Sequence, residues 1–151
     1  MNKVKKILAP TDLSELSRLG VRYGLELAHG WGAEVTVYHV ADPAELANYK
    51  AHSIEDLIKK HKNSLTQFLN GNFADLLASI KVQEKVEVGV PATSVLAEAT
   101  MAGSDLIVMS THGRTGIAHM LLGSVTEQVM RNAPCPVFSV HPPRSPSKAA
   151  G

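Results

Sequence analysis

Short apolar runs alternate along this chain with stretches in which apolar residues recur every three or four positions. The runs read as strands and the stretches as amphipathic helices, so the pattern is one of repeated βα units. A first strand is predicted near Val4 to Ala9. Leu16, Leu19, Gly20, Tyr23 and Leu27 then predict a helix over Ser14 to His29, ended by Gly30 and Gly32. A second strand follows from Glu34 to Val40, and the segment Ala41 to Ala51 is expected to be a mobile loop. A longer helix carries Ile54, Leu57, Ile58, His61, Leu65, Phe68 and Leu69. Asn70-Gly71-Asn72 is expected to break it before a last turn with Leu76 and Leu77.

From Ile80 to Val88 the alternation is strict: Ile80, Val82, Glu84, Val86 and Val88 share one face, and Lys81, Gln83, Lys85 and Glu87 the other. A half-exposed strand of this kind belongs at a sheet edge. Pro91 opens a helix that ends near Gly103. Leu106 to Met109 is wholly apolar, as in an interior strand, and a helix is predicted from Ser124 to Asn132. Pro136 precedes a last strand, Val137 to Val140, suited to the other edge. Five strands with intervening helices predict a doubly wound α/β domain with a mainly parallel sheet, Rossmann-like or flavodoxin-like. Its ligand would lie beyond the carboxyl ends of the strands.

Composition narrows the function. The 151 residues suit one core, 44% of them are apolar, and the formal net charge is +1 with the charges mixed along the chain. No basic stripe or aromatic ladder points to nucleic acid. The single cysteine, Cys135, permits no internal disulfide and reads as a structural thiol rather than a nucleophile. Met1 to Leu8 lacks an apolar stretch long enough for a signal peptide, and no run approaches a membrane span, so a cytoplasmic location is expected. Residues 1–141 read as the domain and the Pro/Ser/Ala-rich residues 142–151 as a disordered tail.

The chemistry concentrates after the fourth strand, in Ser110-Thr111-His112-Gly113-Arg114-Thr115-Gly116 and then Leu122-Gly123-Ser124-Val125-Thr126. Glycines let backbone approach a phosphate, and a helix N-terminus adds N–H donors and partial positive charge. Arg114 offers a charge, and Ser124 and Thr126 offer hydroxyls. The loop is neither a Walker A loop nor the dinucleotide fingerprint. The same residues also have a plain structural reading. Ser124 to Glu127 is a capping box, and Gly113 and Gly116 suit a turn. Asp12, three residues before Glu15, likewise suits an N-cap. The seven histidines form no metal-binding spacing.

The loop resembles the nucleotide loop of the universal stress protein family, which runs Gly, two residues, Gly, nine residues, Gly, then Ser or Thr. Gly113, nine intervening residues, Gly123 and Ser124 match it, whereas Ser110 stands where the family has its first glycine. The resemblance extends through Ile7-Leu8-Ala9-Pro10-Thr11-Asp12, Val37-Tyr38-His39-Val40, Gly89-Val90-Pro91, Asp105 to Met109, and Ala133-Pro134-Cys135-Pro136-Val137. It implies strand order 3-2-1-4-5 and a bound adenine nucleotide, ATP in the first instance. Asp12 matches the family aspartate near adenine and ribose, and Val40 the residue whose backbone meets adenine. Gly113, Gly123, Ser124 and Val125 match the phosphate loop, with Thr126 beside it. Pro10, Thr11, Met109, Ser110, His112 and Arg114 complete the candidate rim. Magnesium would be held through the phosphates. A serine at position 110 adds a side chain where backbone approaches the ligand, at a strain cost if φ is positive, and offers its hydroxyl to ribose or phosphate.

The resulting expectation is a nucleotide-gated regulatory module for stress responses. A weak ATPase and a nucleotide-free interaction module are the alternatives, and no catalytic constellation is evident. The apolar last strand and the resemblance together lead us to expect a homodimer through that edge.

Overall fold

The computed structural model describes residues 3–48, 52–112 and 122–143. In chain order the elements are β1 (Lys6–Pro10), α1 (Arg18–Trp31), β2 (Glu34–Ala41), α2 (Ala44–Ala47), α3 (Ile54–Leu77), β3 (Val82–Val88), α4 (Pro91–Ala102), β4 (Leu106–Ser110), α5 (Ser124–Asn132) and β5 (Val137–Val140). The five strands form one sheet in the order β3-β2-β1-β4-β5, with every pairing parallel. This is the predicted doubly wound sheet with its predicted edges. Strand order reverses between β1 and β4, so the crevice at their carboxyl ends is the place for a ligand.

Because side chains alternate across a strand, each interior strand feeds two cores. Ile7 and Ala9, Val35 and Val37, and Leu106 and Val108 pack with Val21, Leu25, Leu65, Leu69 and Phe73 of α1 and α3. Leu8, Tyr38, Ile107 and Met109 pack with Val95, Ala99 and Val129 of α4 and α5. Cys135 packs against this second cluster, where burial pushes its thiol above the ordinary range, as suits a structural residue. The Asp105 carboxylate accepts the N–H groups of Lys5 and Lys6 at 2.9 and 3.0 Å and so fastens the turn before β4 to the start of β1.

Several boundaries differ from the sequence expectation. Helix α1 begins at Arg18 rather than Ser14, because local side-chain bonds turn the chain first. Thr11 Oγ1 accepts the Leu13 N–H at 3.0 Å, Asp12 Oδ1 accepts the Ser14 N–H at 3.0 Å, and Leu13 takes φ 65°. The helix then runs through Gly30 and stops at Gly32, whose φ of 64° is the left-handed cap. Helix α3 likewise runs through Asn70-Gly71-Asn72; only Phe73 leaves helical angles, at φ −132° and ψ 20°. Core packing overrides the local signal there. The buried Phe73 ring meets Phe68 edge-on and lies under the Arg22 guanidinium. In the segment expected to be a mobile loop, β2 continues to Ala41 and α2 forms, while residues 49–51 lie outside the described set.

Strand β3 starts at Val82 and is half-exposed, as expected at an edge: Gln83 and Glu84 face solvent, while Lys85 and Glu87 are partly covered. The Tyr38 hydroxyl donates to Glu87 Oε2 at 2.7 Å, and Lys85 Nζ donates to Glu98 Oε2 of α4 at 2.7 Å. Glu98 is buried, whereas Lys85 keeps part of its side chain exposed. Among the described residues no helix is long and apolar enough to cross a membrane.

Candidate functional site

A cavity of about 430 Å³ opens beyond the carboxyl ends of β1, β2 and β4. Pro10, Thr11 and Asp12 enter it from β1, Val40 from β2, Met109, Ser110 and His112 from β4, and Gly123 to Thr126 from the start of α5. Eleven of the residues expected at the site therefore meet around one space. Gly113 and Arg114 lie outside the described residues.

The wall nearest α5 is built from backbone. Gly123 is the N-cap of α5, in extended conformation, and its N–H donates to the Thr111 carbonyl at 2.7 Å. A Cβ on Gly123 would stand 3.1 Å from that same oxygen, so glycine is needed for close approach rather than for an unusual φ. Gly123 itself gives the helix no side-chain cap. Ser124 occupies its first turn, and the capping box does not form. The first-turn N–H groups accordingly point toward the cavity end of the helix axis, where the helix dipole favours an anion.

Two hydroxyls of this wall are committed to structure. Ser110 Oγ accepts the Gly20 N–H at 2.9 Å, and Thr126 Oγ1 donates to the Ser110 carbonyl at 2.9 Å. Ser110 is not among the positive-φ residues, so it carries no strain of that kind, and its side chain points at α1. His112 Nδ1 lies 3.0 Å from Thr111 Oγ1.

The opposite wall contains a hydrogen-bonded chain. His39 Nδ1 meets the Thr11 carbonyl at 2.9 Å, His39 Nε2 meets His61 Nδ1 at 2.9 Å, and His61 Nε2 meets Glu45 Oε2 at 2.7 Å. The His61 contact, partly offset by desolvation, holds the Glu45 carboxyl below its ordinary range. Asp42 Oδ1 accepts the Ala44 N–H at 2.8 Å and starts α2 beside it. Asp12 is part of an Asx turn, so the N-cap reading of that residue does not hold; α1 starts six residues later.

Sequence reasoning missed Ser17, Tyr38, His39, Asp42, Glu45, His61, Pro91 and Val95 in this lining. A signal for the two histidines was present. His39 continues the inward face of Val35 and Val37, and His61 falls within the stripe of Leu57, Leu65, Leu69 and Phe73 at intervals of four. Those two faces pack on each other. Among the described residues no group of three or more His, Cys, Asp or Glu side chains is arranged to hold a metal ion.

The universal stress protein family model matches residues 3–141. Universal stress protein MJ0531 of Methanocaldococcus jannaschii is 33% identical over 147 residues, covering 95% of this chain and 85% of its own. The solved structure of MJ0577 from the same organism, also a universal stress protein, is 30% identical with a TM-score of 0.75, covering 95% of this chain and 100% of its own. A universal stress protein solved in complex with cAMP shares the fold, at 21% identity and a TM-score of 0.63, covering 93% of this chain and 98% of its own.

Proposed function

The chain belongs to the universal stress protein family, and we propose that it binds an adenine nucleotide, ATP in the first place, as the gate of a regulatory module in stress responses. One observation carries this reading. The N-terminus of α5 with Gly123, and the Asp12–Val40 side, face each other across a single cavity at the β1–β4 switch point. A volume near 430 Å³ lies in the range of nucleotide-sized sites.

In this reading the triphosphate lies against Gly123, Ser124 and Val125, whose N–H groups and helix dipole neutralise it, with Gly113 and Arg114 completing the loop. Adenine and ribose lie toward Val40 and Asp12. Ser110 contributes backbone only, because its hydroxyl is spent on Gly20. Magnesium is carried by the phosphates, since a hard cation with few protein ligands suits that position. Binding would bias contacts with a protein partner in the cytoplasm. Assembly is a homodimer through β5.

Titration calorimetry with ATP and magnesium tests the reading, with adenosine and cAMP as separate ligands. ATP is expected to bind more tightly than adenosine. A folded protein that binds none of the three at about 1 mM, the weak end of specific affinity, overturns it.

A further inference from the structure

The chain from Thr11 through His39 and His61 to Glu45 permits a proton count. Its contacts are 2.9, 2.9 and 2.7 Å, and each needs one proton between its heavy atoms. Both ends are acceptors: a backbone carbonyl at Thr11 and a carboxylate at Glu45. Two neutral imidazoles supply only two ring protons. With His39 Nδ1–H on the carbonyl and His61 Nδ1–H on His39 Nε2, the bare His61 Nε2 would face a carboxylate oxygen. The chain closes only when the pair holds a third proton, and the resulting positive charge is matched by Glu45.

We propose that this chain is a one-proton latch that regulates the nucleotide site. It joins four elements: the turn after β1, then β2, α3 and α2. With the third proton bound, α2 and α3 are held against the rim. When that proton leaves, one contact must break. We place that break at the His61–Glu45 contact, which leaves Glu45 with Lys60 at 3.8 Å as its nearest cation and takes one positive charge from the cavity wall, disfavouring a polyphosphate. The latch is therefore made at low pH and lost as pH rises through the titration of the pair. This assignment rests on the nucleotide reading above.

The surroundings set the balance. On α3, Lys60 Nζ lies 3.8 Å from Glu45 Oε2 and opposes the extra proton. Asp42 after β2 and Asp12 after β1 line the same cavity and favour it, and His112 after β4 lines it too. From β3 the residue in register with His39 is the apolar Val86, while Lys85 turns to Glu98 on the other side of the sheet. His39 is buried and His61 nearly so, which keeps the proton from exchanging its partners for water.

The test uses the full chain with labelled histidine, first without nucleotide. Ring-nitrogen resonances and the amides of Ala44–Ala47 are followed from about pH 5 to about pH 9, a range that brackets an ordinary imidazole. The expected result is one shared step for His39 and His61, with the α2 amides moving in the same step. Glu45→Gln is the informative variant. Its amide can donate to a neutral His61 Nε2, or accept from a protonated one, so α2 stays held at every pH. Independent titration of the two rings overturns the latch. So do α2 amides that ignore the rings, or that move in Glu45→Gln as they do in the wild type. In a second arm ATP affinity is measured for both proteins over the same range. The wild-type to variant ratio is expected to fall about tenfold across the step, a common size for coupling between sites. ATP binding with a flat ratio overturns control of the site by the latch. A shared ring step in a protein that never binds ATP overturns the nucleotide reading instead.

Discussion

Ser110 in β4 caps α1, the helix packed directly on that strand: its hydroxyl oxygen accepts the Gly20 N–H at 2.9 Å, inside the first turn of a helix with no cap of its own. The fit is close, because a Cβ on Gly20 would stand 2.4 Å from the Ser110 nitrogen. The serine that departs from the family's loop glycine is therefore part of the frame of the site. Ser110→Ala leaves a buried N–H without its acceptor and should cost about 1–2 kcal/mol in denaturant unfolding. ATP affinity should stay within about twofold, well under one hydrogen bond's worth. A tenfold affinity loss with unchanged stability would instead assign the hydroxyl to the ligand. Gly20→Ala should cost about 3 kcal/mol or more through overpacking.

Gly123→Val places a branched side chain between the start of α5 and the Thr111 carbonyl, where even a Cβ has only 3.1 Å. The first turn of α5 must shift, and its N–H groups lose their aim at the proposed phosphate position. ATP affinity should fall by about tenfold or more, the size of one hydrogen bond to a charged group. Adenosine should lose about threefold at most. Equal losses for the two ligands, measured by calorimetry on protein with a native far-ultraviolet spectrum, would show that the phosphates lie elsewhere.

Lys85 neutralises the buried Glu98 at 2.7 Å and lies 3.4 Å from Glu87, which accepts from the buried Tyr38. Lys85→Met strands the Glu98 charge in the interior and should destabilise by about 3 kcal/mol, whereas Lys85→Met with Glu98→Leu should regain most of that. The network also fixes an alkaline limit. The bond to Glu98 raises Lys85 above the ordinary lysine range, and burial together with Glu87 raises Tyr38 above the ordinary phenol range. A raised folded-state value means that the unfolded chain gives up its proton first. Stability from both groups is thus intact below about pH 10 and falls as pH climbs toward the folded-state values. Urea midpoints should decline there in the wild type and decline less in the double variant.

The frame was legible because the apolar runs and the helical stripes follow two different periods, and both edge strands carry their own marks. The half-polar alternation of Ile80 to Val88 marked one edge, and Pro136 marked the other. What misled was local chemistry competing with packing. Asn70-Gly71-Asn72 is a breaker signal, yet burial of Phe73 keeps the helix going. Ser124 has the spacing of a capping box, yet Gly123 takes the cap position because its N–H is drawn to Thr111. The histidine chain was hidden for another reason. Its members are spread from position 11 to position 61, and only the packing of α3 on β2 brings them together.

The last prediction concerns assembly through β5. The Pro136 and Val140 carbonyls accept from Ile107 and Thr111, so the alternate residues, Val137 and Ser139, turn their backbone groups outward. Phe138 is 44% exposed and stacks on Tyr23, itself 40% exposed, which makes an apolar border along an unpaired edge. An edge of this kind, with no lysine in it, invites the same strand of a second copy in a two-fold pairing. Val140 is the wrong place to probe it, because that side chain is 7% exposed and belongs to the core shared with α1 and α3. A charge there would test folding. Phe138→Lys puts the charge on the border and leaves the core intact. Sedimentation at micromolar concentration should find a dimer for the wild type and mostly monomer for Phe138→Lys, both with native spectra. A wild-type monomer, or a dimer that tolerates the lysine, would move the interface to another face. The Pro142-Pro143 pair beyond β5 would then be the guard that keeps this edge single.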